Sequence, residues 1–293
     1  MSKHIFFISS YPKSGNTLMR LIITSLFFTQ DGKVDFENLK YIGQLENKIF
    51  LEFIKKINEK DFLGLNNLST LYKYHVKIKE KSNLNFKEDF TFFKSHNIMN
   101  SFNGHEYVNE NQIRGIIYLV RDPRDIVLSW KNFDKTSLSN SVDLITNENS
   151  SITWNDHIHS TLPAKIKPKV LISSWKNHVN SIMMKTHTMP VLIIKFEDLI
   201  TNKEIILEKI INFFENNFKI KILNNKEKIK NILENSNFDK LKEAENISHF
   251  KESNDSKFFN KGKVGNWKNN LDDHYLEKIE KDFMKEMKIF NYK

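Results

Sequence analysis

The chain has 293 residues, a formal net charge of +9 and no cysteine, and 39% of its residues are hydrophobic. Length and hydrophobic content suffice for a substantial core, whereas the missing cysteines exclude disulfides and thiolate metal sites. The positive charge suits an anionic ligand, but lysine is scattered along the chain instead of forming a basic stripe, which argues against a nucleic-acid-binding protein.

The first predicted element is a strand at residues 5–8, and an apolar helical pattern follows at residues 17–28. Between them, residues 11–17 read Tyr-Pro-Lys-Ser-Gly-Asn-Thr. A tight loop here directs four backbone amides to one point, those of Ser14, Gly15, Asn16 and Thr17. The positive end of the helix dipole and the Lys13 ammonium add to this cradle, which predicts a site for a phosphate or sulfate ester.

The loop does not have the Walker A pattern, because its lysine precedes Ser-Gly and no earlier glycine exists. This disfavours an ordinary ATPase or GTPase. A kinase of a related nucleotide-binding fold stays open as an alternative, which ATP binding and magnesium dependence would reveal.

A helix is predicted at residues 36–57, and a later predicted strand runs into Phe-Phe-Lys-Ser-His, residues 92–96. Most of the ten histidines are expected to be structural. His96 stands out because it directly follows a strand, and an imidazole titrates near neutrality, so it can accept a proton from a hydroxyl. His105, in a polar loop, is the competing candidate.

A third strand is predicted at residues 115–120, and a helix at residues 125–133 follows it. Asp122 can cap this helix. Arg121 is thereby held at the carboxyl end of a strand, where open α/β sheets bind their ligands. Ser129 lies about two turns into the helix and can face the same anion.

The remaining chain continues the alternation. Residues 190–196 read as a buried strand, and polar stretches at 134–151 and 246–257 read as loops. Further helices are predicted at 169–185, 198–216, 226–235 and 272–288. Two glycines among three lysines at residues 261–268 indicate a basic flap that can close over an anion. Repeated strand and helix predict one α/β domain over residues 1–293, with a mainly parallel sheet covered on both faces.

Two of these segments closely resemble motifs of the cytosolic-type sulfotransferases, which use 3′-phosphoadenosine 5′-phosphosulfate (PAPS). The first loop resembles Y-P-K-S-G-T-T-W, from which Asn16 and Leu18 depart, and residues 121–129 match R-N/D-P-K/R-D-x-x-x-S. The resemblance implies a P-loop-NTPase-like fold. It also implies that Arg121 and Ser129 bind the 3′-phosphate of PAPS.

Weaker matches complete the resemblance. Residues 261–268 look like R-K-G-x-x-G-D-W-K, in which Lys261 and Gly262 match and Asn260 replaces the arginine. Phe196 stands where Y-E-D-L has its tyrosine, and residues 236–238 resemble the T-S-F segment of the adenine pocket. The donor-binding residues implied by the family are therefore Lys13, Ser14, Gly15, Asn16, Thr17, Leu18, Arg121, Ser129, Phe196, Ser236, Phe238, Lys261 and Gly262.

The family pattern K-T/S-H covers Lys94 and His96. The resemblance to the family implies a reaction without a metal or a covalent enzyme intermediate. A hydroxyl of the acceptor attacks sulfur in line, His96 takes its proton, and adenosine 3′,5′-bisphosphate (PAP) leaves. Lys13 neutralises the charge that grows on the bridging oxygen, and Lys94 assists near the transferred group.

The acceptor is expected to be a small molecule with a hydroxyl or phenol group. Apolar residues in the segments 39–71, 99–107 and 133–154 favour an apolar or lipid-like one. The family's dimer signature is not recognisable at residues 268–277, so no oligomeric state is predicted. No apolar run suits a signal peptide or a membrane span, which favours the cytoplasm. The alternative is a nucleotide-binding sensor or scaffold of the same fold that has lost activity.

Overall fold

The computed structural model describes residues 4–43, 90–102, 104–108, 111, 113–153, 169–247 and 262–293. Its strands are β1 (His4–Ser10), β2 (Phe90–Ser95), β3 (Ser101–Phe102), β4 (His105–Glu106), β5 (Gly115–Val120), β6 (Ser151–Thr153), β7 (Lys169–Leu171) and β8 (Val191–Lys195). Four of them form a parallel sheet in the order β2-β1-β5-β8, while β3 with β4 and β6 with β7 form small antiparallel pairs.

Helices cover this sheet: α1 (Asn16–Phe28), α2 (Pro123–Asp134), α3 (Leu138–Thr146), α4 (Trp175–Lys185), α5 (Phe196–Thr201), α6 (Lys203–Phe218), α7 (Lys226–Asn235), α8 (Phe238–Ile247) and α9 (Asp273–Ile289). Two short 3₁₀ helices lie at Phe36–Tyr41 and Asn266–Asn269. In the described ranges, no helix is both long and apolar enough to cross a bilayer.

Successive residues of β1 pack into different halves of the core. Phe6 and Ile8 belong to a cluster that includes side chains of α1, α6, α7 and α8. Phe7 belongs to a second cluster, which includes side chains of α2, α3, α4 and α9. Because neighbouring side chains of a strand point to opposite faces, the sheet is covered by helices on both sides, and every residue of β5 is buried. The predicted parallel α/β architecture is confirmed.

The parallel direction places the four strand ends at one edge of the sheet. The Tyr-Pro-Lys loop follows β1, His96 follows β2, Arg121 follows β5 and Phe196 follows β8. Segments that are far apart in the sequence therefore begin from one edge, where open α/β sheets bind ligands.

Four predicted elements differ from the structure. The stretch 134–151 is not all loop: α3 occupies its middle, because Leu138, Val142 and Ile145 recur at helical spacing and Ser137 caps the helix by accepting from the Asn140 amide. The predicted helix 169–185 begins as β7, and α4 starts only after Ser174 accepts a hydrogen bond from the Asn177 amide.

The predicted helix 198–216 is two helices, α5 and α6, which meet at Asn202. The predicted helix 36–57 corresponds to a 3₁₀ helix over Phe36–Tyr41, and its residues from 44 onward lie outside the described residues. The helix predicted at 226–235 is confirmed with both ends as α7. Organisation as one domain over the whole chain stays a prediction.

Candidate functional site

The loop after β1 has a backbone that few side chains tolerate. Lys13 has φ 67° and Gly15 has φ 90°, both in the left-handed region, and Gly15 directly precedes α1. A Cβ on Gly15 would lie 2.6 Å from Cδ2 of Phe196. The loop thus needs glycine at this position for two reasons, the positive φ and the close approach of the aromatic ring at the start of α5.

Asn16, the first residue of α1, uses its amide group inside the protein. Its Nδ2 donates to the Ile8 carbonyl at 3.1 Å and to the Ser10 hydroxyl at 3.2 Å. The side-chain nitrogen is therefore bound to β1. Leu18 is 3% exposed and belongs to the apolar cluster around α1, so it serves as core.

Arg121 joins the two segments that the sequence singles out as anion sites. Its Nη1 donates to the Lys13 carbonyl at 2.8 Å, and its guanidinium carbon lies 4.2 Å from the centroid of the Phe196 ring. The side chain is buried, and burial lowers its pKa, although the nearby carboxylates of Asp125 and Glu197 oppose that shift. The structure thereby brings Lys13, Gly15, Arg121 and Phe196 together.

Several buried polar atoms of the predicted donor-binding residues are unsatisfied. Among the described residues, the hydroxyl oxygen of Ser14, Oδ1 of Asn16, Nε of Arg121 and the hydroxyl oxygen of Ser236 have no hydrogen-bond partner. Buried polar groups in native proteins are nearly always paired, so unsatisfied atoms on these residues fit a ligand or water that binds them.

Gly262, Phe238 and Ser236 lie around the start of α8. Gly262 has φ 53°, and a Cβ there would lie 2.7 Å from the Phe238 ring, so the start of the flap touches the first residue of α8. The Ser236 carbonyl, just before it, accepts from Lys203 Nζ at 2.7 Å. Burial lowers the pKa of that lysine to about 8. Ser129 is half-buried on α2, and Lys261 lies outside the described residues.

The flap is attached to α2 by the Asp125 carboxylate. Asp125 accepts from the Gly265 amide at 2.8 Å and from the Trp267 amide at 2.9 Å. The Arg124 guanidinium lies 3.7 Å from the centroid of the Trp267 ring. Burial raises the pKa of Asp125, while Arg121 and the two amides oppose that shift. The sequence offered one signal for Asp125, its position about one helical turn after Arg121.

His96 has a defined tautomer. Its Nδ1 lies 2.8 Å from the Ser10 carbonyl oxygen and 3.2 Å from the Ser10 hydroxyl. A carbonyl oxygen only accepts hydrogen bonds, so in the neutral ring Nδ1 carries the proton and Nε2 carries the lone pair. The parallel pairing of β1 with β2, which sets Ser9 beside Ser95, places Ser10 next to His96. His105 lies in β4, where it pairs with Phe102 of β3.

The two lysines predicted for the chemistry lie in the loop after β1 and in β2. Lys13 Nζ is 3.6 Å from the centroid of the Phe133 ring, in the last turn of α2. Lys94 is half-buried in β2, where it pairs with Ile8, and its amide donates to the Gly43 carbonyl at 3.0 Å. The strand that carries Lys94 also carries His96 at its end. The described residues contain no cluster of His, Asp or Glu placed to hold a metal ion.

Glu197, after β8, is a further residue of this region that the sequence reading missed. Its Oε1 accepts from the Asp122 amide at 3.1 Å, and its Oε2 accepts from the Tyr292 hydroxyl at 2.8 Å. Burial raises its pKa, while these hydrogen bonds and the charge of Arg121 act in the opposite direction. It connects the strand end that carries Arg121 to the last residues of the chain.

Comparison with known proteins gives one family match. The family model described as the sulfotransferase domain matches residues 3–291. The chain is similar to sulfotransferase 1B1 of Canis lupus familiaris, with 28% identity over 172 residues, 59% of this chain and about half (54%) of that protein. Sulfotransferase 1 family member D1 of Mus musculus is 25% identical over 282 residues, which cover 96% of this chain and 82% of the relative. Cytosolic sulfotransferase 1 of Danio rerio is 22% identical over 96% of this chain and 82% of its own length.

Solved structures with the same fold include retinol dehydratase in a complex with retinol and PAP. Its TM-score is 0.60 at 18% identity, covering 98% of this chain and 82% of that one. Mouse sulfotransferase SULT7A1 complexed with PAP has a TM-score of 0.58 at 18% identity, covering 97% of this chain and 85% of that one.

Proposed function

Because this chain belongs to the sulfotransferase domain family, we propose that it transfers a sulfuryl group from PAPS to a hydroxyl of a small-molecule acceptor. The observation that carries the proposal is the bond from Arg121 Nη1 to the Lys13 carbonyl, which joins two predicted anion-binding segments at one sheet edge. The unsatisfied buried atoms of Ser14, Arg121 and Ser236 fit a ligand with several anionic and polar groups.

The proposed donor site has a phosphosulfate end and an adenosine end. Around the 5′ groups we assign the loop residues Lys13, Ser14, Gly15, Asn16 and Thr17. Arg121 and Ser129 take the 3′-phosphate, for which a guanidinium offers two parallel donors. Phe196, Ser236 and Phe238 take the adenine, and the flap residues Lys261 and Gly262 close over the nucleotide. The Asn16 amide nitrogen is bound to β1, so its contribution to the site is its backbone amide and Oδ1.

Bound PAPS supplies the transferable sulfuryl group and the leaving PAP. His96 accepts the proton of the acceptor hydroxyl at Nε2, because the Ser10 carbonyl holds the ring proton on Nδ1. Lys13 provides the positive charge where the leaving oxygen becomes negative, and Lys94 adds a second cation beside it. The Lys13 ammonium lies against the Phe133 ring, so this role requires it to move from the ring to the donor.

The proposed acceptor is an apolar alcohol or a phenol. Phe133, half-buried and in contact with Lys13, is an aromatic side chain positioned beside the proposed transfer point. A cytoplasmic location is proposed as well, in line with the name of the Danio rerio relative.

The test of the reaction uses sulfur-labelled PAPS and a panel of alcohols, phenols and sugars. We expect PAP and a labelled ester to accumulate with the wild-type protein and to fall by about 10² to 10⁴ in His96→Ala, the range that general-base assistance contributes. Tight PAP binding without turnover above the His96→Ala level would instead support the inactive nucleotide-binding alternative, to which the buried Leu18 points.

Donor recognition is tested separately by calorimetry with PAP and with adenosine 5′-monophosphate, which lacks the 3′-phosphate. The substitution Arg121→Lys keeps the charge but removes the planar fork and the bond to Lys13. We expect PAP affinity to drop at least about tenfold, because charge-assisted hydrogen bonds contribute about 1.5 to 3 kcal/mol. Binding of the monophosphate should fall less, because it loses only the support that Arg121 gives to the Lys13 backbone. Equal losses for both nucleotides would show that Arg121 does not recognise the 3′-phosphate.

A further inference from the structure

We propose that His178, a buried histidine of α4, is a positioning residue for His96. The inference rests on the proposed sulfuryl transfer with His96 as base, and it concerns how that base is held. His178 is 0% exposed, so it does not meet the substrates. It would act through its hydrogen bond to the His96 carbonyl and through its contacts with the rings of Tyr11 and Tyr118.

The hydrogen bonds of His178 have one consistent direction. Its Nε2 lies 3.3 Å from the His96 carbonyl oxygen, which only accepts, so Nε2 is the protonated nitrogen and donates. Nδ1 then accepts from the Tyr118 hydroxyl, 2.9 Å away. A chain of bonds therefore runs from the central strand β5, through α4, to the backbone of the proposed base.

Packing holds the imidazole in that orientation. The Tyr118 ring is stacked at 5.6 Å between centroids and 24° between planes, and the Tyr11 ring meets it edge-on at 5.4 Å and 81°. Tyr11 belongs to the proposed donor loop. Burial lowers the pKa of His178 to about 4, so near neutral pH the ring stays uncharged and keeps one donor and one acceptor.

His96 is consequently held from two sides. Ser10 of β1 binds its ring at Nδ1, and His178 of α4 binds its carbonyl. Three residues after His96, the Met99 amide donates to the Ser181 hydroxyl, which itself donates to the His178 carbonyl. The segment after β2 is therefore fixed to α4 by hydrogen bonds. Together with the bond between Ser10 and Nδ1, this attachment determines where Nε2 of His96 points. Precise orientation of a base contributes to the rate because a proton transfer needs hydrogen-bond geometry in the transition state.

Two variants separate positioning from packing. His178→Gln keeps an amide N–H near the place of Nε2, whereas the shorter His178→Asn retains only a polar group near Nδ1 and loses the donor to His96. Both are assayed with PAPS and two phenols of similar shape, an acidic nitrophenol that is ionised at the assay pH and 4-methylphenol, which is not.

We expect His178→Asn to lower kcat about tenfold for 4-methylphenol, part of the general-base contribution, and less than about twofold for the ionised phenol. The affinity for PAP should stay the same, and His178→Gln should recover most of the rate. Equal losses with both phenols, or a glutamine variant no better than the asparagine one, would overturn the proposal, since a purely structural role would not depend on whether the acceptor is ionised.

A second readout does not need turnover. Imidazole nitrogen resonances of His96, assigned by their loss in His96→Ala, should show the Nδ1-protonated tautomer in the wild-type protein and a mixture in His178→Asn. If that variant does not fold, Tyr118→Phe, which removes only the hydroxyl bound to Nδ1, is expected to shift the same resonances in the same direction. Unchanged resonances would refute the positioning role. A wild-type protein that turns over no acceptor would refute the proposed function while these resonances still decide how His96 is held.

Discussion

Lys13 shows how one residue connects the parts of the site. It adopts a left-handed backbone, φ 67°, without being a glycine. Such a conformation costs about 1 to 2 kcal/mol and persists where surrounding contacts hold it. Here the Arg121 guanidinium binds its carbonyl and the Phe133 ring faces its ammonium. In this conformation the Lys13 carbonyl contacts Arg121, after β5, while its ammonium contacts Phe133 of α2.

The substitution Gly15→Ala is expected to disturb the loop locally. The added Cβ would meet Phe196 at 2.6 Å in a backbone with φ 90°, so we expect a loss of about 1 to 2 kcal/mol in the free energy of unfolding. Affinity for PAP should fall as well, because the amides that follow Gly15 are displaced. Urea unfolding and calorimetry measure the two effects.

Gly43→Ala is the matched control for this prediction. A Cβ at Gly43 meets no atom of the described residues within 4 Å, and Gly43 is not among those with positive φ. It should change stability by less than about 0.5 kcal/mol. If both alanine variants behave alike, the special conformation of Gly15 is not what the loop depends on.

Individual residues of the site were predictable from the sequence to different degrees. Arg121 and His96 could be assigned because each directly follows a strand, and a strand end fixes where a side chain lies. Ser10 and His178 could not, since a serine and a histidine on apolar elements carry no periodic signal. Their roles arise from the pairing of β1 with β2 and from the packing of α4, both of which are contacts between distant parts of the chain.

At the scale of elements, the flap is held to α2 by the Asp125 carboxylate. Replacement of Asp125 by Asn removes the charge and leaves one acceptor oxygen for two amides, those of Gly265 and Trp267. We expect the 3₁₀ helix Asn266–Asn269 to open more often, so that amide hydrogen exchange at Gly265 and Trp267 accelerates about tenfold. PAP affinity is a poor readout here, because the lost negative charge also strengthens the attraction between Arg121 and an anion.

Asp272→Asn provides the comparison. Asp272 precedes α9 close to the flap in sequence, and its side chain makes no capping hydrogen bond. Exchange at Gly265 and Trp267 should match that of the wild-type protein. Slow exchange in Asp125→Asn would mean that packing, such as that of Arg124 on Trp267, holds the flap without the carboxylate.

Elements were predictable where one pattern dominated. β5 is an unbroken apolar run, and burial of all its residues is what such a run indicates. α3 was missed because its serines and asparagines suggest a loop, while its stability comes from Val142 and Ile145 packing into the core. β7 was read as helix because three residues are too few to show a period of two, and its pairing partner β6 is nearly twenty residues away in the chain.

At the scale of the whole molecule, residues 290–292 bind to the carboxyl ends of strands β5 and β8. Arg124 Nη2 donates to the Tyr292 carbonyl at 2.7 Å, and Lys195 Nζ donates to the Phe290 carbonyl at 2.7 Å. The Tyr292 hydroxyl reaches Glu197. The strand ends of β5 and β8, which carry Arg121 and Phe196, are therefore held in place by the segment after α9. Composition and periodicity could not show this attachment, because it consists of side chains bound to distant backbone carbonyls.

The buried His178 is expected to make the stability of the whole fold depend on pH in a defined window. Its pKa is lowered from 6.5 in the unfolded chain to about 4 in the folded protein. Between these values the unfolded state binds the proton and the folded state does not, so the free energy of unfolding declines as the pH falls through the window. The loss of stability amounts to about 2 kcal/mol at pH 5 and to about 3 kcal/mol near pH 4.

The measurement compares the wild-type protein with His178→Gln, which does not titrate, by urea unfolding at pH 8 and pH 5. The groups that face His178 are Tyr11, Tyr118 and His96, and the two tyrosines stay neutral throughout this range because burial raises their pKa values. Asp125 and Glu197, whose raised pKa values act in the opposite sense, are present in both proteins and cancel. The stability advantage of the wild type over the variant should therefore shrink by about 2 kcal/mol between pH 8 and pH 5. A constant difference would mean that His178 is protonated as readily in the folded protein as in the unfolded chain, so that burial does not lower its pKa.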